Sequence, residues 1–163
     1  MKKQQAKAGQ ESVWDYPRPP RVEATKKTIL IEVGGITLVE TNRAYRVLET
    51  SHPPVYYFPQ VDIAMDYLVP SRKMSTYCEW KGRAHYWDLD LPNKQTEAVA
   101  WSYELPRGGF EVIKDYLAFY PSKMDICRVD GEVVQAQAGD FYGGWITKDI
   151  VGPFKGGPGT WGW

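Results

Sequence analysis

The sequence predicts a mainly β domain, built as a small barrel or a β-sandwich with one short helix. Three observations predict this fold class. Aromatic residues make up 14% of a chain that is 43% hydrophobic, and such rings favour strands. Short β-branched runs alternate with glycine-containing turns. The 163 residues are the length of one ordinary domain, and they contain no internal repeat.

The two ends differ in composition from the middle of the chain. Residues 1–12 are predicted to be a mobile tail, because the stretch MKKQQAKAGQ offers too little apolar surface to offset the entropy of ordering. Residues 13–137 form the predicted domain. They begin with WDYPRPPRVE, which we expect to run extended because proline fixes φ. Residues 138–163 form a glycine- and aromatic-rich extension, predicted to pack on the domain or on a partner subunit.

The first predicted elements are a hairpin, a strand and a helix. Residues 27–33 (KTILIEV) and 36–40 (ITLVE) are joined by a Gly-Gly pair that suits a two-residue turn. Residues 42–49 are ambiguous, and we favour a strand from Arg46 onward. A helix is predicted over residues 60–68, between Pro59 and Pro70. Its apolar stripe would be Val61, Met65 and Leu68.

Strands are predicted through the rest of the domain. Residues 78–89 and 97–105 are two of them, and in the second a large apolar residue alternates with a smaller or polar one, which indicates one buried face. Residues 114–120 and 124–129 are two more, and Asp130-Gly131 turns the last of them into a second hairpin with residues 132–135.

Charge and cysteine content restrict the partners and the compartment. Twenty basic residues balance twenty acidic ones, so the sequence disfavours nucleic acid and an anionic membrane surface as partners. Residues 1–10 are cationic but no apolar stretch follows them, so they are not expected to act as a signal peptide. No apolar run has membrane-spanning length, and together these observations predict a cytoplasmic protein. Cys78 and Cys127 are then expected to be free thiols. No spacing of ligands indicates a metal site, and no cofactor is predicted.

A cluster of aromatic and polar residues marks the candidate site. If residues 78–88 form a regular strand, Trp80 and Tyr86 share one face and Lys81 the other. We expect Glu49, His52, Tyr56, Lys81 and Tyr86 to surround a cleft floored by Trp80 and Trp101. The predicted ligand-binding residues are Trp80, Lys81, Tyr86, Trp101, Tyr103 and Tyr56. Such walls suit a planar or cationic small molecule, although the rings could equally fill a packed core.

An enzyme is the alternative function. Cys78 could act as a nucleophile with His52 as its base, and Glu49 could orient the imidazole. The opposing interpretation is that Cys78 is an inert thiol in the core. The choice depends on the distance between these side chains, which the sequence does not give.

Four segments together carry a resemblance to a known family. The segments WDYPRPP (residues 14–20), ETSHPPVYYFP (49–59), TYCEWKG (76–82) and AWSY (100–103) resemble the domain of unknown function 427 family in order and spacing. The resemblance implies a mainly β fold, and it makes the C-terminal segment similar to an extension in cyanobacterial members. The family is sometimes labelled nucleotidyltransferase-like. Asp88 and Asp90 would supply the carboxylate pair of such a site, but the Gly-Ser turn it needs is absent.

Two further roles concern partners. The aromatic residues of the extension could build a homodimer interface. The chain could also be a scaffold in a larger assembly, which would need no small-molecule ligand.

Overall fold

The chain is mainly β in the computed structural model, which describes residues 1–139 and 141–163. Residue 140 of the predicted extension lies outside the described residues. The strands found in the described residues are β1 (Glu11–Ser12), β2 (Arg21–Ala24), β3 (Ile29–Val33), β4 (Ile36–Thr41), β5 (Tyr45–Leu48), β6 (Val55–Tyr57), β7 (Leu68–Pro70), β8 (Thr76–Cys78), β9 (Gly82–Leu91), β10 (Lys94–Tyr103), β11 (Leu117–Phe119), β12 (Ile126–Val129), β13 (Glu132–Val133), β14 (Gln135–Ala136), β15 (Trp145–Ile146) and β16 (Ile150–Val151). The helical elements are short 3-10 turns: Val13–Asp15, Gln60–Asp62, Met65–Tyr67, Glu111–Ile113 and Pro121–Lys123.

The largest sheet has the order β11-β10-β9-β7, and β8 also pairs with β9. A second sheet, β2-β5-β6, continues it through a bridge between Phe58 and Leu117. Each of these two residues donates its N–H to the carbonyl of the other, at 2.9 and 3.0 Å. The two sheets therefore form one antiparallel layer, called the main layer below.

A third sheet packs on one side of the main layer. It has the order β13-β12-β3-β4, and its Ile29, Ile31 and Val39 join Leu89 and Phe119 of the main layer in one buried cluster. Within the described residues the fold consists of several sheets, and none of them closes into a barrel. A second buried cluster in the main layer is rich in aromatic residues and includes Tyr57 and Trp101. It is called the ring cluster below, and the candidate site lies against it.

The predicted hairpins are confirmed. β3 and β4 pair across Gly34 and Gly35, whose φ angles of 56° and 80° are those of a two-residue turn that glycine adopts without strain. Asp130 and Gly131 turn β12 into β13. The predicted strand beginning near Arg46 is β5.

The helix predicted over residues 60–68 is wrong. Two separate 3-10 turns occupy this stretch, and between them Ile63 is extended and bridges Val39. The Ala64 N–H donates to the Leu38 carbonyl at 2.8 Å, so pairing with β4 replaces the helical hydrogen bonds. Val61, assigned to the apolar stripe, is 80% exposed.

The continuous strand predicted from Cys78 is also wrong. β8 and β9 form a hairpin, and residues 79–81 are the turn between them. Gly82 follows this turn with a φ of 106°. The predicted division of Trp80 and Lys81 between two sheet faces therefore fails, because neither residue lies in a strand.

A bulge in β10 changes which side chains face the ring cluster. The register with β9 shifts between Thr96 and Ala100, and Ala98 has a φ of 51°. The Ala98 N–H donates to Asp88 Oδ1 at 2.8 Å, which satisfies a group that the ladder leaves unpaired. Beyond the bulge β10 is buried on both faces, rather than on one as predicted.

The C-terminal segment packs on the domain through Trp145. This indole is fully buried beside Tyr56 and Phe58, and its Nε1–H donates to the Phe119 carbonyl at 3.2 Å. Farther on, β16 pairs in parallel with β1. Trp161, by contrast, is 75% exposed.

The described residues contain no helix with the length and apolar character that crossing a bilayer requires.

Candidate functional site

A cavity of about 310 Å³ lies against the ring cluster of the main layer. Strands β5, β6, β9 and β10 supply its floor, through Val47, Tyr57, Ala84, Tyr86 and Trp101. The β8–β9 hairpin supplies one part of the wall. The segment around His52 and the C-terminal residues 141–143 supply the rest.

The aromatic floor is held by specific contacts between its rings. The Trp101 ring lies 4.6 Å from that of Tyr120, and its Nε1–H donates to the Tyr57 hydroxyl at 3.1 Å. The Tyr86 hydroxyl is hydrogen-bonded to Thr76 Oγ1 at 2.8 Å. Burial raises the pKa of Tyr57 and of Tyr103 well above the usual range. Both phenols are therefore neutral, and they are hydrogen-bonded to each other.

Lys81 brings an ammonium group to the wall of the cavity. Its side chain lies in the β8–β9 turn and is only 9% exposed. The nearest rings are those of Phe110 and Tyr103, whose centroids lie 5.6 and 5.8 Å from Nζ. Across the part of the chain that the structure describes, Lys81 Nζ has no ion pair and no hydrogen-bond acceptor. A nearly buried charge at a cavity wall is thus left without a counter-charge.

His52 is fixed by partners on both ring nitrogens. The Gln137 amide nitrogen lies 3.3 Å from Nδ1 and donates its other proton to the Lys155 carbonyl at 2.7 Å. Gln137 Oε1 accepts the Gly144 N–H at 3.0 Å, which fixes the orientation of the amide. Nδ1 is then the acceptor, and Nε2–H points to Glu49 Oε2 at 3.5 Å.

The imidazole of His52 is neutral near pH 7. Burial, together with the charges of Lys155, Arg18 and Lys81, lowers its pKa to about 4. Glu49 is paired with Arg18 at 3.4 Å, and its Oε2 lies 3.5 Å from Nε2 of the neutral His52 ring. With both nitrogens occupied, His52 is badly placed to take a proton from Cys78.

Most of the predicted site residues meet at the cavity. Its lining includes eight of the residues that the sequence singled out: Glu49, His52, Cys78, Trp80, Lys81, Tyr86, Trp101 and Tyr103. Tyr56 is the exception. It lies in the core on Trp145, where burial raises its pKa to about 12. Its neighbour Tyr57 points the opposite way, into the ring cluster, because side chains alternate along β6.

The structure adds residues that the sequence interpretation missed. Gln137, Tyr142 and Lys155 also line the cavity, although they lie far along the chain from the other segments. The Tyr142 ring meets His52 edge-on at 5.2 Å between centroids. The glycine pair that follows Tyr142 was the available signal, since it allows this segment to approach the indole of Trp101 closely.

The other candidate catalytic and metal-binding residues do not lie together at the cavity. Among the described residues there is no group of three or more His, Cys, Asp or Glu side chains that could hold a metal ion. Asp88 closes the bulge of β10, and Asp90 accepts from Gln95 at 3.4 Å. Neither carboxylate lines the cavity. Cys127 lies in the core, where burial raises the pKa of its thiol to about 12.

Comparison with known proteins gives one family. The model described as domain of unknown function (DUF427) matches residues 21–130, which is more than half of the chain. The chain matches none of the curated proteins with which it was compared. The matched residues include the main layer and the β8–β9 hairpin, whereas the C-terminal part of the cavity wall lies beyond them.

Proposed function

The chain belongs to the domain of unknown function 427 family, and from that premise and the geometry of the site we propose that it binds a small organic molecule with a planar ring. The cavity of about 310 Å³ between indoles and phenols carries this proposal. Its volume is at the lower end of the range for small-molecule pockets, about 300–1,000 Å³. A ligand with one or two fused rings is therefore the expected size.

The arrangement of the lining supports binding over simple core packing. A core of rings fills its own space, but here the rings of Trp101, Tyr103 and Tyr86 border a hollow. Polar groups come from separate segments, as in sites where they orient a ligand between apolar walls. They include the Lys81 ammonium, the neutral phenols and the His52–Glu49 pair.

Thiol or acid-base chemistry has less support. Cys78 lines the cavity, but both nitrogens of His52 have other partners. A base must reach the proton that it abstracts. A nucleotidyltransferase site has less support still, because Asp88 and Asp90 lie outside the cavity.

Filling the cavity tests the proposal. Ala84 lies on its floor and is buried, so Ala84→Leu would place three more carbon atoms in the hollow. Val69→Leu, on the partly exposed strand β7, is the matched control that enlarges a side chain outside the cavity. Both variants and the parent chain would be titrated with bicyclic aromatic compounds, with the fluorescence of the cavity indoles as the readout.

The expected result is saturable quenching in the parent and the control, and its loss in Ala84→Leu. Circular dichroism and thermal melting would establish that Ala84→Leu is folded. Equal quenching in all three proteins would overturn the proposal, since the ligand would then bind outside the cavity. Absence of saturable quenching by any compound in the parent would overturn it as well.

A further inference from the structure

We infer that the ligand of this cavity is a planar organic monoanion, whose acidic group pairs with the ammonium of Lys81. The inference rests on the proposed function and specifies the chemical class of the ligand. It reverses one expectation from the sequence, in which the aromatic walls favoured a planar or cationic molecule. The reason for the reversal is a charge that the protein itself leaves uncompensated.

The first step concerns Lys81. A charged group is costly to remove from water unless it is paired. Lys81 is 9% exposed, and within the described residues its Nζ contacts only ring faces, at the outer limit of a cation–π contact. Phe110 and Tyr103 provide those faces. A bound anion would supply the partner that the fold does not.

The second step concerns the other charges around the cavity. Lys155 lines it as well, but its Nζ donates to the Trp163 carbonyl at 3.3 Å, and Glu49 is offset by Arg18 at 3.4 Å. Glu79 is the other acidic residue among the described residues of the lining, and it is exposed in the β8–β9 turn, where water screens its charge. His52 is neutral, because burial and the three nearby cations lower its pKa to about 4. The uncompensated interior charge is therefore positive.

The third step concerns shape. One ammonium group satisfies one acidic group, and the neutral phenol of Tyr57, whose oxygen accepts from Trp101, keeps its own proton to donate to the oxygens of that acidic group. The remaining lining is aromatic, which suits a flat apolar body. An aromatic ring that carries a carboxylate or a sulfonate has both the acidic group and the flat apolar body.

A matched pair of probes tests the inference. The probes are 2-naphthoate and its neutral amide, 2-naphthamide, which share a ring system and differ in charge. They would be titrated into the parent chain, into Lys81→Met, which keeps the length of the side chain without its charge, and into Lys148→Met. Lys148 is exposed and does not line the cavity, so Lys148→Met is the control for loss of one positive charge.

We expect the parent and Lys148→Met to bind 2-naphthoate at least about tenfold more tightly than 2-naphthamide. Lys81→Met should lose this preference and keep its affinity for the amide. Added salt should weaken the carboxylate alone. Equal binding of both probes by the parent would overturn the inference and leave the proposed function standing. If Lys81→Met still binds 2-naphthoate more tightly than 2-naphthamide, the inference is likewise overturned and the proposed function stands. Failure of both probes to bind the parent would overturn the proposed function itself, and the inference with it.

Discussion

Replacing Gly143 by alanine tests how closely the C-terminal segment fits the cavity. A Cβ on Gly143 would lie 2.3 Å from Cη2 and 2.9 Å from Cζ3 of Trp101. Carbon atoms in contact are about 3.5–4.0 Å apart, so the indole would have to move by roughly 1 Å. It is held in place by its hydrogen bond to Tyr57, at 3.1 Å, and by the Tyr120 ring, at 4.6 Å.

Overpacking of this kind costs about 1–3 kcal/mol. For a domain of this length, each kcal/mol lowers the melting temperature by roughly 2–4 °C. Gly157→Ala is the matched control, because a Cβ there meets nothing within 4 Å. The assay is urea unfolding followed by circular dichroism, with indole fluorescence as a second probe.

We expect Gly143→Ala to unfold at a lower urea concentration than the parent, with a change in native-state fluorescence, and Gly157→Ala to match the parent. If Gly143→Ala were as stable as the parent, with unchanged fluorescence, the segment would not press on Trp101 as described. A matching loss in Gly157→Ala would show that the effect is general to this part of the chain.

Three further predictions concern the groups around the site. The pKa of His52 is lowered to about 4 from 6.5, so between these pH values the unfolded chain binds a proton that the folded chain does not, and stability should fall as the pH drops from about 6.5 toward 4. Thermal melting as a function of pH should show a weaker fall for His52→Gln than for the parent. Identical pH profiles for the two proteins would contradict this prediction. Asp88→Ala leaves the Ala98 N–H without its partner and should cost about 1–3 kcal/mol in urea unfolding, while Asp88→Asn, which keeps an acceptor oxygen, should cost less. Alkylation of the folded chain, followed by mass spectrometry, should modify Cys78 at the cavity and spare buried Cys127; modification of Cys127 first would refute the placement of the two thiols.

The sequence predicted the parts of the fold that local chemistry determines. The Gly34-Gly35 turn and the Asp130-Gly131 turn need backbone angles that few residues adopt easily, so both hairpins could be found from composition. The helix over residues 60–68 could not be excluded in this way. Its stripe had the correct spacing, but pairing of Ile63 with Val39 depends on a strand far away in the sequence.

The candidate site was predicted in part for the same reason. Trp101, Lys81 and His52 were assigned to one cluster from their chemistry, and all three line the cavity. The sequence could not distinguish Tyr56 from Tyr57 as the residue at the site. Alternation along a strand places the two side chains on opposite faces of the sheet, but it does not show which face is the core. Lys155 was missed because its contact with this region depends on the path of the whole C-terminal segment.

The division of the cavity wall between two stretches of sequence affects how its selectivity could be altered. The floor and Lys81 lie inside residues 21–130, the part that matches the family model, whereas Gln137, Tyr142 and Lys155 lie beyond it. Substitutions of Gln137, Tyr142 or Lys155 would change that part of the cavity wall and leave the residues of 21–130 unsubstituted. Under the proposed function, exchange of these three residues is therefore a route to altered specificity, with Lys81 retained.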